Sequence, residues 1–294
     1  MFDTMCASAT APGGAPVALD YMAPAAYLAR LVSSYYLFRV DLPAVQDVAR
    51  AEMAQLRFIL RGGGAYRFGD GPVVTPGEIA LTGPTHAATQ ISTQGPTLVF
   101  GIGLLPAGWA ALVDLDAHRA RDALTDAVPI FGPILHEMMA QLRTARTLEA
   151  MGAIADGFLR RLVERGREPP HDFTDIVDAW LVTDDSPEVD ALIEATGLSA
   201  RQVERLTNRI YGGPPKLLAR KFRALRAAAK IAVGEDWSAL YEGAFYDQSH
   251  AIREFRRFIG LTPVQLSQSR SPIAKMTFEQ RSRLEGLPKL TRVS

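Results

Sequence analysis

Residues 243–263 constrain the fold more tightly than any other stretch, because they spell out one helix with both ends marked. Gly243 supplies a turn, and the Asp247 carboxylate can cap a helix by accepting a bond from an orphan N–H of the first turn. Ile252, Phe255 and Ile259 recur at helical spacing and predict a core-facing stripe. Gly260 and then Pro263 stop the helix. The remaining surface carries Gln248, Ser249, His250, Arg253, Arg256 and Arg257. Amide, hydroxyl, imidazole and guanidinium groups on one exposed helix face are the donors and acceptors that read base edges in a major groove.

A similar unit precedes it. Leu192 and Ile193 predict a support helix, Gly197 a tight turn, and Ser199 the cap of the next helix. Val203, Leu206 and Ile210 give that helix its core face, which leaves Arg201, Glu204, Arg205 and Asn208 outward. Between the units, residues 216–233 predict a long helix with Leu217, Leu218, Phe222, Leu225 and Ile231 inside. It also carries Lys216, Arg220, Lys221, Arg223, Arg226 and Lys230. Two reading helices on a stiff spacer suit adjacent major-groove segments, which lie roughly 34 Å apart on one face of DNA. Arg256 and Arg257 suit phosphates better than bases. Glu204 fits a cytosine amino group, an ion pair with Arg201 or Arg205, or simple exposure. His250 fits a base contact, a cap or solvent.

The charge distribution points the same way. The formal net charge is zero, yet residues 190–294 hold 18 Lys and Arg against 10 Asp and Glu, whereas residues 1–189 hold 14 against 22. A basic C-terminal third beside an acidic remainder predicts a polyanionic partner for one part only. The single cysteine, Cys6, excludes an intramolecular disulfide framework. No apolar run reaches the roughly 18 residues of a membrane span, and the N-terminus does not read as a signal peptide. A cytoplasmic protein with no membrane partner is the expectation.

Coarse patterning predicts an α+β chain of two domains. Residues 1–24, rich in Ala, Pro, Gly and Thr, are expected to be flexible. Residues 25–168 would form a β-rich barrel or sandwich with trailing helices, since residues 52–105 alternate short apolar runs with Gly/Pro turns. Residues 52–57 fit a helix as well as a strand. Residues 172–268 would be the helical unit, and residues 269–294 a flexible tail. The helices between 132 and 165 offer an apolar stripe for self-pairing, or an ordinary internal core. The five histidines show no ligand-pair spacing, so no metal, no cofactor and no catalytic residue is assigned; the chain is not read as an enzyme. His86, in Gly83-Pro-Thr-His86, is the one histidine a small barrel could offer a metal.

On these residues the chain resembles the AraC/XylS family of bacterial transcription regulators over 186–266. The carriers are Gly-x-x-x-Asp-Gln-Ser-His-x-x-Arg-x-Phe-Arg-Arg-Phe-x-Gly-x-Thr-Pro at 243–263, Leu-Ser-x-Arg-x-x-x-Arg-Leu at 198–206, and Gly-Pro-Pro-Lys at 213–216. The resemblance implies a seven-helix bipartite helix-turn-helix domain on double-stranded DNA. Arg201, Glu204, Arg205 and Asn208 would face one groove; Gln248, Ser249, His250 and Arg253 would face the next. Ala251 departs from the large aromatic common there, which implies a shallower core contact and a more mobile second helix. The family's N-terminal part is often a cupin-like barrel that dimerises or binds an effector, and residues 27–165 look like a divergent version. That implies a homodimer, with a small-molecule effector or an activator's contact with RNA polymerase. Phe58, Tyr66, Phe68, Phe100 and Trp109 are the candidates to line a pocket. Two other readings remain open: a ligand-independent dimeric regulator, and a cupin-type enzyme fused to a helical domain.

Overall fold

The computed structural model describes residues 15–183, 187–235, 248–268, 272–282 and 290–291. The N-terminal half is two antiparallel sheets, with strands numbered along the chain. One sheet orders β1 (Val17–Met22), β2 (Val32–Val40), β9 (Thr97–Leu104), β4 (Gln55–Arg61), β7 (Ile79–Thr82) and β10 (Leu124–Asp126). The other orders β3 (Ala44–Ala49), β8 (Thr89–Gln94), β5 (Gly64–Phe68) and β6 (Val73–Val74). Two antiparallel sheets are what the alternation of short apolar runs with Gly/Pro turns predicted for this half.

The ambiguity at 52–57 resolves into irregular chain at 52–54 and the start of β4 from Gln55. Leu56 and Phe58 are wholly buried on the outer face, while Gln55 and Arg57 point between the sheets. The outer face is covered by α1 (Pro106–Leu112), α2 (Val128–Phe131), α3 (Ile134–Thr144) and α4 (Leu148–Val163). Their apolar stripes, including Leu135, Met138, Leu142, Met151 and Phe158, enter the same core as Tyr35, Phe100 and Ile102. The stripe on residues 132–165 therefore has an internal use.

Between the sheets the contacts are polar. Arg57 Nε donates to the Tyr36 hydroxyl at 3.0 Å, and that hydroxyl donates to Gln55 Oε1 at 2.7 Å. The Arg57 guanidinium stacks over Tyr66 at 4.9 Å, and its Nη1 is buried with no hydrogen-bond partner among the described residues. A cavity of about 50 Å³ lies there, walled by Tyr21, Tyr36, Arg57 and Tyr66. Of the expected pocket residues only Tyr66 lines it; Phe58 and Phe100 are plain core.

The C-terminal half is helical: α5 (His171–Thr183), α6 (Val189–Thr196), α7 (Ala200–Tyr211), α8 (Pro215–Ala232), α9 (Gln248–Ile259), α10 (Pro263–Ser267) and α11 (Pro272–Ser282). Leu192, Val203, Ile210, Phe222, Leu225, Phe255 and Phe258 form its core. No helix among the described residues is long and apolar enough to cross a membrane.

Two expectations of flexibility are corrected. Val17–Met22 is not loose but pairs residue for residue with β2, so the flexible stretch cannot extend to 24. The expected mobile tail contains α11, which packs on β1 and β3. Its polar composition hides this packing, because Arg281 is buried over the Tyr21 ring at 5.1 Å and Phe278 lies under Arg50 at 4.9 Å.

A third correction concerns α8. Lys221 and Arg226, counted above among the charges of a basic connector, are 2% and 8% exposed. Lys221 Nζ donates to the carbonyls of Glu52 and Thr85, both at 2.8 Å, tying the central helix of one half to two loops of the other. Burial pushes its ammonium down to about 7, partly opposed by Asp122. An unfolded lysine holds its proton to about pH 10.4. Between pH 7 and that value the unfolded chain binds more protons, so this group makes stability rise with pH. Replacement Lys221→Met should cost about 1–3 kcal/mol, because it strands the Thr85 carbonyl, while the Glu52 carbonyl keeps the Thr85 N–H at 3.0 Å. Urea midpoints taken from pH 7 to 10 should fall in the variant and lose that rise.

Candidate nucleic-acid interface

The first unit forms as its sequence predicts. Gly197 ends α6 in the left-handed region at φ 64°, where its N–H reaches the carbonyls of Ile193 and Glu194. Ser199 caps α7 in a reciprocal box with Gln202, its backbone N–H donating to Gln202 Oε1 at 3.0 Å. Val203 and Ile210 are buried, and Arg201, Glu204 and Arg205 are exposed. Asn208 is half-buried, and its Nδ2 donates to the Glu204 carbonyl one turn back at 2.8 Å. Its amide must therefore turn outward before it can touch a base.

In the second unit, Ser249, Arg253, Arg256 and Arg257 are exposed and His250 is half-buried. Ala251, Phe255, Phe258 and Ile259 are wholly buried, so alanine at 251 sits in the core. Asp247, Gly243 and the support-helix residues Leu240 and Tyr241 lie outside the described residues, as does the Gln248 side chain. Sequence reading missed Glu254. It is 2% exposed, pairs with Arg220 of α8, and lies 3.9 Å from His250 Nε2. The signal was available, since Glu254 falls between the buried positions 251, 255 and 258 on the helix. This pair ties α9 to α8.

Both α7 and α9 end on the β-rich half. The Asn208 and Arg209 carbonyls of α7 accept the backbone N–H groups of His118 (3.1 Å) and Ala117 (2.8 Å). The Arg257 and Phe258 carbonyls of α9 accept those of Ala88 (2.8 Å) and Ala51 (2.6 Å). Helix C-termini carry unpaired carbonyls, and here four are satisfied by the other half of the chain. Gly260, at φ 81°, follows α9, where any Cβ would strike Val48 of β3. Arg257 Nε lies 3.4 Å from the His86 carbonyl, so that arginine is held partly by the barrel. The His86 ring is 1% exposed; burial, then Lys221, Arg121 and Arg257, hold it well below the usual imidazole range and keep it neutral. No group of three His, Cys, Asp or Glu side chains that could hold a metal converges among the described residues.

No family model matches the chain, and no curated protein does. Among solved structures it is similar to an apo variant of ToxT from Vibrio cholerae strain SCE256. The identity is 11%, the TM-score 0.47, and the match covers 80% of this chain and 97% of that one. A second ToxT structure from Vibrio cholerae gives 12% identity and TM-score 0.43, covering 78% and 97%. The AraC-like transcriptional activator CuxR gives 11% and 0.30, covering 72% and 87%. Identities and scores this low leave function to be argued from the residues.

The Arg220–Glu254 pair is the most accessible test of this geometry. Arg220→Ala strands a buried carboxylate and should cost about 2–3 kcal/mol, less than a fully buried pair because the arginine is half-exposed. The loss should appear as a lower melting temperature by circular dichroism, and Arg220→Lys should recover part of it.

Proposed function

We propose that the chain is a sequence-specific DNA-binding transcription regulator of the AraC/XylS type. It reads two adjacent major-groove segments of double-stranded DNA with α7 and α9. One observation carries this reading: two helices with arginine-rich exposed faces stand on a single 18-residue spacer, which spans about 27 Å. Arg201, Glu204, Arg205 and Asn208 would serve the first segment, and Gln248, Ser249, His250 and Arg253 the second. Arg256 and Arg257 would bind phosphates.

The β-rich half is the sensor in this reading, and the protein acts as a homodimer. The cavity beside the unpartnered Arg57 Nη1 supports modulation by a small-molecule effector, and contact with RNA polymerase would follow on DNA. A saturable thermal shift with a metabolite would separate this from a regulator that only dimerises.

Footprinting of the purified protein on DNA flanking its own gene, across a salt series, tests the proposal. Two protected major-groove segments per protomer, fading steeply with salt, are expected. Arg253→Ala should cost about 1–3 kcal/mol of specific binding and relax specificity at one position. Unchanged binding by that variant would remove α9 from the reading surface.

A further inference from the structure

We propose that residues 118–121 of the β-rich half form a phosphate-binding edge that extends the nucleic-acid surface beyond the end of α7. The inference rests on the reading of α7 as a DNA-contacting helix.

The segment is held in place on several sides. Ala117 is fully buried, and the N–H groups of Ala117 and His118 bind the last turn of α7. Ala120 is 5% exposed, and its carbonyl packs so closely on Gly83 that no Cβ fits there. Asp122, at φ 52°, accepts the His86 N–H at 2.6 Å. These anchors leave His118, Arg119 and Arg121 as the exposed side chains of the segment. Among the described residues Arg119 makes no ion pair, while Arg121 lies 3.8 Å from Asp122 and 3.5 Å from the Gly212 carbonyl. Three basic groups stand together in a half of the chain whose balance is acidic.

Their place on α7 gives them a use. A 12-residue helix is about 18 Å long. The major groove is only about 8.5 Å deep, so a helix that enters by its first turns leaves its last turn at the groove wall beside phosphates. A helix C-terminus is a poor neighbour for phosphate, because its carbonyls carry partial negative charge. Here two of those carbonyls are covered by N–H groups, and Arg121 lies 3.5 Å from the Gly212 carbonyl just beyond them. Asp114 and Asp116 share the adjoining cleft, but they pair with Arg167 at 2.7 Å and Arg209 at 3.7 Å. Arg119 lines the same cleft, of about 230 Å³, and has room to swing toward a strand. The docked segment thus replaces a bare carbonyl end with N–H donors and exposed arginines.

Titrations of the full-length chain against two duplexes, by fluorescence anisotropy from 50 to 300 mM salt, test the inference. One duplex carries the footprinted site and one has mixed sequence. Arg119→Ala/Arg121→Ala should reduce the slope of log affinity against log salt by about one to two. It should weaken both duplexes by the same factor, so the ratio between them stays fixed. Arg119→Lys should keep the wild-type slope. An unchanged slope in the double variant, with an unchanged melting temperature, overturns the proposal. So does tighter binding, which would mean that the segment obstructs DNA. Arg201→Ala separates the two levels. If it relaxes specificity while the double variant does nothing, only the extension fails; if wild-type protein binds neither duplex, the reading of α7 fails with it.

Discussion

Lys221 places the helical half on the sheets. It lies on α8, the helix against which α5, α7, α9, α10 and α11 all pack, and it reaches two loop carbonyls of the β-rich half, those of Glu52 and Thr85. Burying an ammonium group is unfavourable, and its proton affinity falls accordingly. A neutral amine still has two N–H donors, one for each carbonyl, so losing the proton need not break the joint. The neutral His86 ring beside it adds no charge for the ammonium to contend with. The joint is polar and directional. It fixes an orientation in a way that a purely apolar contact between Leu218, Phe222 and Met53 would not.

How much of this was legible varies with the kind of interaction. The capped helices could be read because their signals are local: Gly197 and Ser199 act within a few residues of themselves, and Val203 and Ile210 repeat at the helical period. The ambiguity at 52–57 arose because Leu56 and Phe58 alternate with Gln55 and Arg57, and polar residues facing a closed interior look the same as polar residues facing water. α11 was missed for a related reason. Its buried face contains Thr277 and Arg281, which composition assigns to solvent. Lys221 left a trace, since it shares a helix face with Leu218 and Leu225, but a lysine at such a position is normally assumed to reach outward along its stem.

The docking of α7 and α9 left no trace at all. Its donors are the backbone N–H groups of Ala51, Ala88, Ala117 and His118, and any residue except proline could supply them. Likewise, no property of Arg119 in the sequence distinguishes it from the other arginines. Its significance comes entirely from the loop that carries it to the end of α7.

The four docking bonds come from separate loops, after β3, before β8 and after α1, and all belong to one β-structure. α7 and α9 are therefore not hinged freely on α8; the last turn of each is clamped to the β-rich half like a jaw of a caliper. Under the proposed function that half would set the gauge. A shift of a loop by a fraction of an ångström would then change not how strongly either helix grips but whether both can seat on one duplex at once. In such an instrument, sensing and measuring would be one mechanical act.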